Sequence, residues 1–105
     1  MEPVNIADVR TALEASGNLY SEFIRVPDLS VGLYTLPAGA TDPQGPHNED
    51  EVYYVLAGHS NIRIGDVQCP VVPGDVIYVE KKVEHAFYDI EEDLQLLVFF
   101  APAET

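Results

Sequence analysis

Apolar residues change their rhythm once along this chain, near residue 17. Before that point Ile6, Val9 and Leu13 recur at helical spacing and share one face. Asn5 is a good N-cap, and Asp8 stands where a negative charge complements the helix dipole. Val4 and Val9 are spaced as a hydrophobic staple, and Gly17 after Ser16 offers a left-handed stop. The pattern predicts a helix over about 6–15, lying against one end of the remaining domain.

From Leu19 onward the helical period is lost, and short apolar runs alternate with turn residues. Eight runs read as strands: Tyr20–Val26, Ser30–Pro37, Asp50–Gly58, His59–Gly65, Asp66–Val72, Asp75–Glu80, Val83–Ile90 and Asp93–Ala101. Gly65-Asp66 suits a tight hairpin, and Pro73-Gly74 suits the two central positions of a type II turn. Such spacing predicts an all-β sandwich or small barrel over about residues 19–101, within one domain covering 1–105. No linker, low-complexity tract or second domain interrupts the pattern.

Composition narrows the function classes. Apolar residues make up 47% of the 105, which fits a globular core and not a disordered chain. Five basic against eighteen acidic residues leave a formal charge of −13, which repels phosphate backbones and anionic lipid alike, so neither nucleic acid nor membrane is an expected partner. The richest apolar window, Leu94 to Ala101, is too short to span a bilayer, and the first residues lack a basic flank before an apolar block. Together with the single Cys69, which has no internal disulfide partner, this predicts a cytoplasmic protein. The run from Leu94 to Phe100, apolar on both faces, and exposed sheet edges predict a homodimer.

Chemistry-bearing residues cluster in two stretches. His47 precedes Glu51 by four positions, and Glu51 opens the strand-like run Glu51–Leu56. A carboxylate at the mouth of a buried strand requires a cation, a proton or retained water, because an unpaired charge in low dielectric costs several kcal/mol. Strand alternation places Glu51, Tyr53 and Val55 on one face, and His85, Phe87 and Asp89 on one face of a later strand. If both faces point inward, two imidazoles and one carboxylate would form a facial metal triad with open coordination positions. Tyr53 and Phe87 would then wall a small-molecule pocket, and Arg63 could orient a substrate carboxylate unless its side chain faces outward.

At these residues the chain resembles a small single-domain cupin, with a double-stranded β-helix or jelly roll as the implied fold. The family's first motif is Gly, five residues, His-x-His, three or four residues, Glu, six residues, Gly. Gly39, His47, Glu51 and Gly58 stand at those offsets, with Gly45 in place of the first His. The second motif is Gly, five residues, Pro-x-Gly, two residues, His, three residues, Asn. Gly74 and His85 match it, while Glu80, Lys82 and Asp89 replace the Pro, Gly and Asn. The resemblance covers roughly residues 30–100 and implies His47, Glu51 and His85 as metal ligands. Where the first His is missing, either water fills the position or the Gln44 amide oxygen reaches in through a bulge.

The donor set suits a divalent transition metal such as Fe, Mn, Ni, Cu or Zn. Cupins include dioxygenases, isomerases, lyases and decarboxylases as well as storage and sugar-binding proteins, and the reduced two-His-one-Glu set also resembles the phosphonate epoxidase cupins. The reading is a metal-dependent, oxygen-using enzyme on a small organic acid or enol, with Glu51 and His85 as the catalytic pair. A non-catalytic ligand-binding or sensor domain is the rival class, and a metal-free acid/base isomerase a third.

Overall fold

The computed structural model describes residues 1–43 and 45–105, and contains one helix and six strands among them. In chain order these are α1 (Ile6–Ser16), β1 (Tyr20–Val26), β2 (Leu29–Leu36), β3 (Asp50–Ile64), β4 (Val67–Val71), β5 (Val76–Val79) and β6 (His85–Ala101). The helix has the ends its sequence predicts. Asn5 Oδ1 accepts the Ala7 N–H at 2.8 Å, and Gly17, at φ 74°, donates its N–H to the Glu14 carbonyl. Leu13 is buried, and Arg10 Nε donates to Gln95 Oε1 at 2.8 Å, which fastens the helix across β6. No helix among the described residues is long and apolar enough to cross a membrane.

All strand pairings are antiparallel, in the order β1-β2-β6-β3-β4, with β5 also paired to β3. The long strands β3 and β6 form the spine. One end of β3, Glu51 to Tyr54, pairs β5, and its other end, Ser60 to Ile64, pairs β4. The Gly65-Asp66 hairpin is present, with Ile64 opposite Val67 and Gly65 at φ 56°.

Eight expected strands are six. Asp50–Gly58 and His59–Gly65 are one strand, as are Val83–Ile90 and Asp93–Ala101, apart from their fringes. Each long strand bends where the sequence suggested a break. The β3–β6 register shifts between Val55 and Asn61, where Gly58 takes φ 100°. A Cβ on Gly58 would lie 2.5 Å from the Asp93 carbonyl oxygen, so only glycine lets the two backbones approach this closely. In β6 the bend includes Asp89 at φ 49°, which breaks the alternation: Asp89 is exposed and Ile90 is buried, so Asp89 does not join His85 and Phe87 on the inner face. The bent spine wraps the sheet around one interior filled by Tyr34, Tyr53, Phe87, Leu94, Leu96, Val98 and Phe100.

The Leu94 to Phe100 run also differs from expectation. It is a central strand, hydrogen-bonded to β2 on one side and β3 on the other, and so presents no edge for strand addition. Exposed apolar residues gather instead on β4 and β5 and beside them, at Val67, Val72, Val76 and Tyr78.

Candidate metal centre

Three elements bring the candidate ligands together. His47 lies in the loop before β3, Glu51 on the second residue of β3, and His85 on the first residue of β6. Two backbone bonds secure the loops around them. His47 O accepts from Lys82 N at 2.6 Å, and Val83 N donates to Glu80 O at 3.2 Å in the turn that delivers His85. Lys82, which replaces a motif glycine, sits in that turn at φ 64°. The turn therefore forms without its glycine, at the steric cost of a left-handed non-glycine residue.

Ligand-type atoms of His47, Glu51 and His85 all lie within 4.8 Å of one another. His85 Nε2 is 3.1 Å from Glu51 Oε1, and His47 Nε2 is 3.9 Å from the same oxygen. An ion held by nitrogen and oxygen at about 2.0–2.2 Å needs its donors roughly 3–3.5 Å apart, so closure requires side-chain adjustment of about 1 Å. Glu51 is 1% exposed, and neither of its carboxylate oxygens has a well-aligned hydrogen bond among the described residues. A buried carboxylate left in this state is costly unless a cation joins it.

Both imidazoles have an acceptor behind them. His85 Nδ1 is 2.9 Å from the Val83 carbonyl oxygen. A carbonyl only accepts, so when the ring is neutral its proton is on Nδ1 and Nε2 is left to accept from the Tyr53 hydroxyl 3.1 Å away. His47 Nδ1 faces Glu104 Oε2 at 3.3 Å. Acceptors of this kind fix tautomer and orientation in metal-binding histidines. The donor set thus fits a divalent transition metal: two outfacing nitrogens already backed, and one under-satisfied carboxylate between them.

Electrostatics follow from this packing. Burial depresses the His85 pKa, but the Glu51 carboxylate and the Val83 carbonyl outweigh it and raise the net value above 6.5. Burial first, and Glu51 second, hold the Tyr53 phenol well above its ordinary value. Glu104 is raised chiefly by burial, with His47 opposing and Glu51 and Glu49 adding to the rise.

The other expected residues divide. Tyr53 and Phe87 are both fully buried against the site, with ring centroids 5.0 Å apart in an edge contact. Arg63 is exposed on the outer face between Ile62 and Ile64, although it lines the surface cleft that Pro46, Glu84 and His85 also border. Gln44 lies outside the described residues. Residues the motifs do not mark complete the surroundings. Phe100 meets the His47 ring edge-on at 4.8 Å. Asp42 is buried and accepts from Tyr34 Oη at 2.7 Å and from Phe87 N at 3.0 Å, which ties the loop after β2 to the inner face of β6. The Tyr20 hydroxyl is buried without a hydrogen-bond partner among the described residues. The signal for Asp42 and Tyr20 was only their type, a lone acid in a Gly/Pro-rich loop and a strand tyrosine.

The fold is an antiparallel β-barrel with two histidines and a glutamate converging on one interior point. The matching family model is described as a cupin domain and spans residues 32–100, so this chain belongs to the cupin family. An uncharacterized protein of Streptomyces coelicolor is 41% identical over 105 residues, covering 100% of both chains. Among solved structures, KdgF from Halomonas sp. superposes with a TM-score of 0.71 at 20% identity, over 79% of this chain and 76% of that one. An RmlC-like cupin from Shewanella frigidimarina gives 0.71 at 22% identity, over 80% and 75%. A Methanocaldococcus jannaschii RmlC-like cupin with a double-stranded β-helix fold gives 0.71 at 19%, over 79% and 78%. These likenesses establish the double-stranded β-helix.

Proposed function

We propose that His47, Glu51 and His85 hold one divalent transition metal ion, and that the domain is an enzyme acting on a small organic acid or enol with dioxygen as co-substrate. The observation that supports this reading is the convergence of three ligand-type side chains within 4.8 Å at a buried carboxylate lacking aligned hydrogen bonds among the described residues. When bound, the metal supplies Lewis-acid polarisation and, for redox-active ions, electron transfer. The chain's own residues do the rest. Glu51 contributes the charge that selects a cation, and Tyr53 Oη, 3.1 Å from His85 Nε2, braces that ring within the inner wall. Phe87 and Phe100 keep water from the inner wall. The reading also pairs the domain with a second copy through the exposed apolar surface of β4 and β5.

One observation favours a second reading, a metal-free proton-transfer enzyme: His85 Nε2 lies 3.1 Å from both Tyr53 Oη and Glu51 Oε1. Elemental analysis of protein purified without added metal separates the two. The metal reading expects about one equivalent of transition metal in the wild type and loss of it in Glu51→Ala and His85→Ala. Wild-type protein that neither retains nor binds Fe, Mn, Ni, Cu or Zn would overturn it. Oxygen uptake with a panel of small carboxylic acids and enols then tests the reaction class. Support for a non-catalytic domain weakens with the Glu80–Val83 turn, which delivers His85 despite the replaced motif residues.

A further inference from the structure

We propose that Glu104, on the segment that follows β6, is a positioning residue for His47: its carboxylate holds the imidazole in the tautomer that presents Nε2 to Glu51. The proposal rests on the reading that His47, Glu51 and His85 share one ion. Glu104 Oε2 stands 3.3 Å from His47 Nδ1, on the opposite side of the ring from Glu51 Oε1 at 3.9 Å.

The segment is fastened to the barrel at three successive residues. Ala103 N–H donates to Pro27 O at 3.2 Å, and Glu104 N–H donates to Ser30 Oγ at 3.0 Å. Thr105 donates to Glu49 Oε2 from its N–H at 3.3 Å and its hydroxyl at 2.9 Å. Ser30 and Glu49 are both buried, Ser30 on β2 and Glu49 in the loop that carries His47. Glu104 is thereby held near Glu22, Glu49 and Glu51, with His47 as the opposing partner. Crowding a fourth acid into this corner opposes stability; backing a ligand imidazole gives it a purpose. His85 shows the parallel arrangement, with the Val83 carbonyl behind its Nδ1.

The test combines two readouts on the full chain. Nitrogen-15 NMR of labelled histidines, on metal-free protein at a pH where the rings are neutral, reports tautomer. Titration with Mn(II) and Zn(II) reports affinity. Wild-type His47 is expected as the Nδ1–H tautomer. Glu104→Ala loses that preference and binds either ion about 10–100-fold more weakly. Glu104→Gln, whose amide oxygen still accepts, keeps the tautomer with intermediate affinity. His85 stays Nδ1–H in every variant and certifies the fold. An unchanged His47 tautomer in Glu104→Ala, or affinity within about threefold of wild type, overturns the proposal. A tautomer switch in Glu104→Ala with no ion bound by the wild type would sink the metal reading and leave the positioning role standing.

Discussion

Replacing Gly58 by Ala tests whether the bend in β3 is a backbone requirement. Two costs arise at this position. The first is conformational: φ 100° is a region that residues with a Cβ avoid, at about 1–3 kcal/mol. The second is steric, because the new methyl would lie 2.5 Å from Asp93 O and 2.7 Å from Leu94 Cα, and these are backbone atoms that cannot swing away. Overpacking of this kind costs about 1–3 kcal/mol. Against them stands the reduced freedom of the unfolded chain, which returns about 0.4–1 kcal/mol. The net expectation is a loss of roughly 2–4 kcal/mol, a large share of the roughly 5–15 kcal/mol typical of a small domain. Gly74→Ala is the control. Gly74 has φ 94°, but a methyl there would meet nothing within 4 Å, so only the conformational cost applies, about 1–2 kcal/mol after the same correction. Urea unfolding of the two variants, with m-values unchanged, reads the difference directly. Equal losses at the two positions, or a Gly58→Ala loss below about 0.5 kcal/mol, would refute the close-approach argument.

Three further outcomes are expected. Lys82→Gly, which relieves a left-handed residue at φ 64°, should stabilise the fold by about 0.5–1 kcal/mol in urea unfolding, and destabilisation would mean that the lysine side chain makes a contact worth more than the strain. The pH dependence of stability should change sign with metal: the raised His85 pKa stabilises the metal-free fold fully below about 6.5 and loses that contribution as pH rises through the folded value, whereas metal-loaded protein loses its ion as the histidines protonate. Melting temperatures at pH 6 and 8, with chelator and with metal, check this, and parallel trends in the two states would count against histidine ligation. Light scattering should find a dimer that Val76→Asp, at a position 69% exposed on β5, converts to monomer; a wild-type monomer at every concentration removes the second copy from the proposal.

Local features were readable where short-range chemistry decides them. Asn5 and Gly17 end the helix because capping depends on a few adjacent residues, and Tyr20–Val26 forms β1 with the expected bounds. Alternation placed Glu51, Tyr53 and Val55 on a buried face, and it failed at Asp89, where one positive φ shifts the phase. Breaks expected after Gly58 and Ile90 became bends, because pairing of β3 with β6 over their length sustains strand geometry through residues that would end an isolated strand. The central place of Leu94 to Phe100 was equally hidden, since an apolar run looks alike at an edge and between two partners.

By itself the amino-acid order determined the kinds of element, their turns, and a set of ligand-type residues at spacings shared with cupins. It also determined that His47 and Glu51 must be neighbours, because only three residues separate them. The tertiary structure alone decided that His85 comes within 3.1 Å of Glu51 and that Glu104 stands behind His47. Those contacts join residues more than thirty positions apart, and no local preference encodes them. They exist because the bent antiparallel spine closes a single interior, and its burial energy holds side chains in place that would otherwise face water.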